Sequence, residues 1–174
     1  MRSDLSSSNT MTLKAVKQII LEATLEKWQK AWDLSNTGKH LKEIETKVST
    51  AVKHSLPTSR LMQKTFHQLR IGRGPLNDQD PIDKKSEEEK RCDSCGAIED
   101  TSHFILNCPR YTPQRRNMWN NILSHAEESG IDSRKIPMDI TILSHNLDLP
   151  TKMRTKIALE ISQYISATRR LQSR

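Results

Sequence analysis

The chain has 174 residues, of which 34% are hydrophobic and only 4% aromatic, so any core must be thin. A thin core commonly needs a staple, and a structural metal is one of the usual ones. The net charge of +7 favours polyanionic partners such as nucleic acid or an anionic membrane face, but no apolar run approaches the ~20 residues that span a bilayer.

Residues 1–11 are polar and Ser-rich and read as a disordered start. They contain no apolar h-region of a secretory signal. The expected location is intracellular, nuclear or cytoplasmic, where three cysteines are not expected to form disulfides. From Thr12, a plausible N-cap, to about Asp33 the pattern is helical. Leu21, Leu25, Trp28 and Trp32 share one face, which predicts core packing. Ser35-Asn36-Thr37-Gly38 is a stop signal.

Leu41, Ile44 and Val48 suggest a short helix or an extended piece, broken by Pro57. Thr58 or Ser59 then caps a helix to about Ile71. Met62, Phe66 and Leu69 lie on one side of it, and Arg60, Lys64, His67 and Arg70 on the other. Gly72 and Gly74-Pro75 end it. Residues 77–91, with Asp78, Asp80, Asp83 and Glu87 to Glu89, read as a polar, solvated linker loop.

The next segment carries the chemistry. Its spacing is Cys92-x2-Cys95-x7-His103-x4-Cys108. A C-x2-C turn places two thiolates on one face of a tight loop, and Gly96 supplies a permissive backbone after it. The next seven residues let the chain circle a metal and return with an imidazole and a third thiolate, which is a tetrahedral N/S set for one zinc ion. Four protein ligands leave no open position, so the expected site is structural. The bland alternative is three buried or free cysteines beside an incidental histidine. Iron–sulfur ligation would ordinarily use four cysteines. Phe104, between two ligands, is expected to be buried against the loop.

Thr112-Pro113 starts the following helix, with Met118, Ile122 and Ala126 on its apolar face and Gly130 closing it. Residues 131–150 read as loop with short extended or helical pieces. Pro150-Thr151 opens the last helix. Its stripe is Met153, Ile157, Ile161, Tyr164, Ile165 and Thr168, which either packs on the preceding helix or offers a face to a protein partner. The basic tail, Arg169 to Arg174, is expected to fray.

The layout expected is a disordered start over 1–11, a helical region over 12–76, a polar linker over 77–91, a CCHC zinc knuckle over 92–111 and a C-terminal helical region over 112–174. The fold class is mostly α, a small helical domain with an irregular zinc-knuckle module inserted between helices. His40, His54, His67, His125 and His145 are scattered with no nucleophile–base pattern, and Ile71-Gly72-Arg73-Gly74 is too short for a phosphate loop. No enzymatic activity is expected.

Several landmarks occur together in order. They are Leu25-Glu26-Lys27-Trp28-Gln29-Lys30-Ala31-Trp32, Thr37-Gly38-Lys39-His40-Leu41, Leu56-Pro57, Gln68-Leu69-Arg70-Ile71-Gly72, and the Cys92 to Cys108 segment continuing into Pro109-Arg110-Tyr111 and Gln114-Arg115-Arg116. In these the chain resembles the C-terminal region of LINE-type (non-LTR) retrotransposon polyproteins, fungal ones especially, which follows their RNase H domain. The resemblance covers about residues 21–119. It implies a zinc knuckle without the catalytic carboxylates, which would lie upstream, and a role in handling an RNA template or DNA target. The acidic, lysine-rich stretch between Leu76 and Cys92 departs from the pattern.

Basic residues flank the knuckle on both sides. Arg60, Lys64, Arg70 and Arg73 before it and Arg91, Arg110, Arg115 and Arg116 after it are candidates for phosphate contacts, with Tyr111 and Trp119 as candidates for stacking on an unpaired base. RNA or DNA, contacted without sequence specificity, is the expected partner. The alternative is a protein-interaction module, a host-captured regulator or intracellular effector, working through its amphipathic helices.

Overall fold

Capping chemistry sets the helix boundaries. The Thr12 hydroxyl accepts from the Ala15 N–H and starts helix α1, Leu13–Leu34. The Ser59 hydroxyl accepts from Met62 and starts α3, Arg60–Arg70. Pro113 stands in the first turn of α4, Thr112–Glu128, where its missing N–H is no loss. Pro150 precedes α5, Thr151–Thr168. The short α2 spans Lys39–Ile44. The computed structural model describes residues 12–50, 59–79, 85–144 and 147–171. The expected disorder of 1–11, the break at Pro57, the Thr58 cap, His54, Asp80, Asp83, His145 and the last three tail residues lie outside these ranges.

The fold is mostly α, and the described residues contain no strand beyond one isolated bridge, Arg91 to Ile98. Helices α4 and α5 pack along each other. Met118, Ile122 and Ala126 of α4 and Met153, Ile157, Ile161, Tyr164 and Ile165 of α5 enter one buried cluster with Phe66, Leu69, Phe104 and Ile105. Each large aliphatic side chain buried there contributes roughly 1.5–3 kcal/mol. The α5 stripe from Met153 to Ile165 is therefore buried in the core that α5 shares with α4.

Helix α2 rests on α3 and on the one-turn helix Ile140–Leu143. His40 Nε2 pairs with the Leu69 carbonyl at 2.9 Å, and its ring closes over Gly72. A Cβ on Gly72 would stand 2.9 Å from His40 Cδ2, so the glycine is required for that approach as well as for its φ of +66°.

Three expectations need correction. The α1 face of Leu21, Leu25, Trp28 and Trp32 is not core: none of the 22 residues of α1 is buried, and Trp28 is 47% exposed. Only the last turns attach, through Trp32 Nε1 to the Glu45 carbonyl at 3.0 Å and through Gln29 to Thr46 and Val48. Next, the ends of the 77–91 segment are not a free linker. The Asp78 N–H donates to Glu99 O, Glu99 N–H to Lys90 O, and Asn77 Nδ2 to Arg91 O. Last, the tail does not fray at its start, because Arg170 is bonded to the Glu99 carboxylate.

Candidate metal centre

The first half of the centre is a tight turn closed by backbone bonds. Cys92 N–H donates to Ala97 O at 2.7 Å, and the N–H groups of Cys95 and Gly96 return to Cys92 O at 3.3 and 2.8 Å. Gly96 sits at φ +74°, the left-handed region that glycine enters without a Cβ penalty. The turn aims both thiols at the second half.

That second half is a short helix with an extra residue in its turn. Asp100 Oδ1 accepts the His103 N–H at 2.6 Å, as an N-cap carboxylate does. The Cys108 N–H then reaches back five residues to His103 O at 2.7 Å, closing a π turn over His103–Asn107. Such wide turns recur at functional sites. Here it brings His103 and Cys108 to one side, while Phe104 and Ile105 are fully buried beneath them.

The four ligand atoms of Cys92, Cys95, His103 and Cys108 all lie within 4.8 Å of one another, the one such cluster among the described residues. Cys92 Sγ is 3.8 Å from Cys108 Sγ, and Cys95 Sγ is 3.5 Å from His103 Nε2. A tetrahedron with metal–sulfur bonds of about 2.3 Å and metal–nitrogen bonds of about 2.1 Å has edges of ~3.8 Å between sulfurs and ~3.6 Å between sulfur and nitrogen. Two of the six ligand–ligand edges have these lengths and the rest lie within 4.8 Å, so the four residues can hold one metal ion. All three cysteines of the chain belong to the cluster, and none forms a disulfide. In the metal-free chain, burial pushes the Cys108 thiol from 9.0 up to about 11, and the Cys92 sulfur beside it acts in the same direction.

The loop is held in place from several sides. Arg115 Nη2 donates to Cys108 O at 2.8 Å, and Tyr164 Oη donates to Phe104 O. Burial holds the Tyr164 phenol well above its usual range, so it remains a donor. Thr101 Oγ1 donates to Leu69 O at 3.1 Å and ties the loop to α3. Glu99, only 3% exposed, accepts from Arg170 and from Asn77 N–H. The spacing of the sequence points to the four clustered residues, but nothing local in it marks Arg115, Glu99 or Arg170 as supports. Only Asp100 carried a local signal, a carboxylate three residues ahead of His103.

The candidate polyanion contacts divide. Arg73, Arg91, Arg110 and Arg116 are exposed, Arg91 with one donor on Gly96 O and Arg110 over the Tyr111 ring. Arg70 is corrected: it is 8% exposed, ion-paired with Glu45, and donates to Leu143 O. Burial lowers its basicity while Glu45 opposes that shift. Tyr111 is corrected too. It is buried edge-on against Phe104 and cannot receive a base. Trp119 is partly buried against the core, and Arg115 is turned inward to Cys108 O. Arg60 and Lys64, one turn apart on α3, are exposed and join the available cations.

Compared with known proteins, the chain matches no family model, no curated protein and no solved structure. Among the described residues no helix is long and apolar enough to cross a membrane.

Proposed function

We propose that the chain is a non-catalytic zinc-binding module that contacts RNA or DNA, derived from the C-terminal region of a LINE-type retrotransposon polyprotein. The observation that carries the zinc reading is the pair of tetrahedral edges between Cys92, Cys95, His103 and Cys108. Three thiolates and one imidazole are a soft donor set, and a closed tetrahedral set of this kind selects zinc. With every position filled by protein, the ion would act as a staple rather than as a Lewis acid.

The nucleic-acid part rests on the exposed cations Arg60, Lys64, Arg73, Arg91, Arg110 and Arg116 together with the net charge of +7. Such groups neutralise phosphates and read no sequence directly. Two experiments test the reading. Metal analysis of purified protein is expected to give one zinc per chain. Fluorescence anisotropy of labelled RNA, single-stranded DNA and duplex over a salt series is expected to show log K falling with log salt. No binding at tens of micromolar protein near physiological salt would overturn the nucleic-acid reading.

A second reading, a protein-interaction module, is favoured by α1 rather than by α5. Leu13, Ile19, Ile20 and Leu34 are all exposed on a helix about 33 Å long. An isolated helix with so little tertiary packing is marginal in water. Association that persists at high salt and is lost in Ile19→Asp with Ile20→Asp would favour this reading.

A further inference from the structure

A zinc ion held by these four residues would not make a neutral centre. Coordinating thiols give up their protons. Three thiolates and one neutral imidazole around Zn²⁺ therefore carry one net negative charge. Part of that charge lies inside the protein, since Cys108 is fully buried and Cys92 is only 5% exposed. A buried charge is costly unless a counter-charge is held beside it. The neighbouring acids do not provide one. Asp100, which caps the His103 N–H at 2.6 Å, adds negative charge, and Glu99 is matched by Arg170.

Arg115 is the cation left over. It is the fourth residue of α4, whose first turn contains no acidic residue. A cation there meets the positive pole of the helix macrodipole, which disfavours it. Its Nη2 donates to Cys108 O at 2.8 Å and to Thr112 Oγ1 at 3.3 Å, and its Nη1 is buried with no acceptor. Among the described residues no carboxylate pairs with it. The guanidinium is thus fixed to the backbone of a ligand residue, with its charge unmatched by any acid. Arg91 holds a similar place on the other half of the loop, donating to Gly96 O at 2.8 Å, one residue after Cys95. Arg91 is exposed, however, and water and salt screen it.

From this we propose that Arg115 is the counter-ion of the metal centre: its inward-turned charge balances the net negative charge of a zinc-loaded Cys92, Cys95, His103 and Cys108 set and raises zinc affinity. The inference rests on the zinc reading above and adds a charge partner to that site. Groups that support metal ligands typically change metal affinity 10–100-fold when they are removed. An electrostatic contribution also has a property that a hydrogen-bonded clamp lacks, because it scales with the charge of the centre.

The test is zinc affinity of the full chain, read by competition with a chromophoric chelator. Arg115→Gln keeps an amide donor without the charge and should weaken zinc binding about tenfold. Arg115→Lys keeps the charge and should recover most of that loss. The Arg115→Gln change is then repeated in centres of altered charge, each compared with its own Arg115 parent. His103→Cys makes a centre of four thiolates with two net negative charges, and there the loss should grow to about a hundredfold, because the interaction doubles. Cys95→His, at the exposed ligand position, makes a neutral centre, and there the loss should vanish. Should a ligand variant fail to hold zinc, the comparison of Arg115→Gln with Arg115→Lys decides alone. Equal effects of glutamine and lysine, or a loss that does not follow the charge of the centre, would overturn the counter-ion and leave the zinc reading standing. Failure of the unaltered chain to bind stoichiometric zinc would overturn both.

Discussion

Arg170 donates to both carboxylate oxygens of Glu99, from Nε at 2.8 Å and from Nη2 at 2.5 Å. The same guanidinium reaches Pro75 O and Asn77 Oδ1. Two segments 71 residues apart in sequence are thereby locked beside the metal loop. Removing one partner of a buried pair leaves the other charge uncompensated, which costs about 3–5 kcal/mol. Arg170 is itself half-buried, which places the cost at the low end of that range. Arg170→Ala should lower stability by roughly 3 kcal/mol in urea denaturation. Lys152→Ala, at an exposed site in α5, should change it by no more than about 0.5 kcal/mol. Equal effects from the two would mean that the clamp does not exist in solution.

Metal removal should dismantle the loop. Structural zinc of this kind contributes roughly 10–16 kcal/mol at neutral pH, comparable to the whole net stability of a domain, about 5–15 kcal/mol. Chelation, or Cys92→Ser with Cys95→Ser, should release the zinc and collapse the dispersion of the amide signals of residues 92–111 in NMR spectra. Stoichiometric zinc retained by the double variant would sink the ligand assignment.

The pH response of the two forms should differ in sign. Cys108 in the metal-free fold is raised from 9.0 to about 11. A thiol whose folded value is raised stabilises the fold below the unfolded value and loses that contribution as pH rises through the folded one. Metal-free protein should therefore weaken between about pH 9 and pH 11. Zinc binding needs the thiolate and expels its proton, so zinc affinity should rise with pH over the neutral range. Calorimetry of zinc binding in buffers of different ionisation enthalpy reads the released protons directly. No proton release near pH 7 would mean that the thiols are already ionised.

The cations should separate into two classes. Arg70→Ala leaves Glu45 buried beside Ser144 and should cost about 3–5 kcal/mol of stability, with no change in the salt slope of nucleic-acid binding. Arg73→Ala and Arg116→Ala should leave stability within about 0.5 kcal/mol. Each should reduce the salt slope by about 0.7–0.9. A reduced slope for Arg70→Ala alone would reverse the assignment.

Arg70 also marks where sequence reading stops. Cap residues and breakers act over three or four positions, so Thr12, Ser59, Pro113 and Gly130 placed their helix ends correctly. The ligand spacing is local too, and it brought four atoms into one cluster. The fate of a cation is not local. Arg70 is buried because Glu45 and the Leu143 carbonyl, 25 and 73 residues away, meet at its guanidinium. Tyr111 was a plausible stacking residue until Phe104 folded beneath it. The apolar residues of α1 fit the period of a buried helix, but nothing in that period states whether a neighbour arrives to cover them.

The chain turns sharply after α5 at Arg169, the one non-glycine residue among those described with a positive φ, +54°. Its N–H reaches back to Ser166 O at 3.2 Å and ends the helix in the left-handed conformation usual for a C-terminal glycine. That turn delivers Arg170 to Glu99. For a residue with a Cβ the left-handed region costs about 1–2 kcal/mol, and a β-branched side chain fits it least well. Arg169→Gly should therefore hold or raise stability by up to about 1 kcal/mol. Arg169→Val should lower it by about 1–2 kcal/mol and loosen the Arg170 clamp with it. Thermal denaturation of the two variants at fixed zinc gives the order. Equal melting temperatures for glycine and valine would show that the left-handed turn is not populated in solution, and the clamp would then need another route back to Glu99.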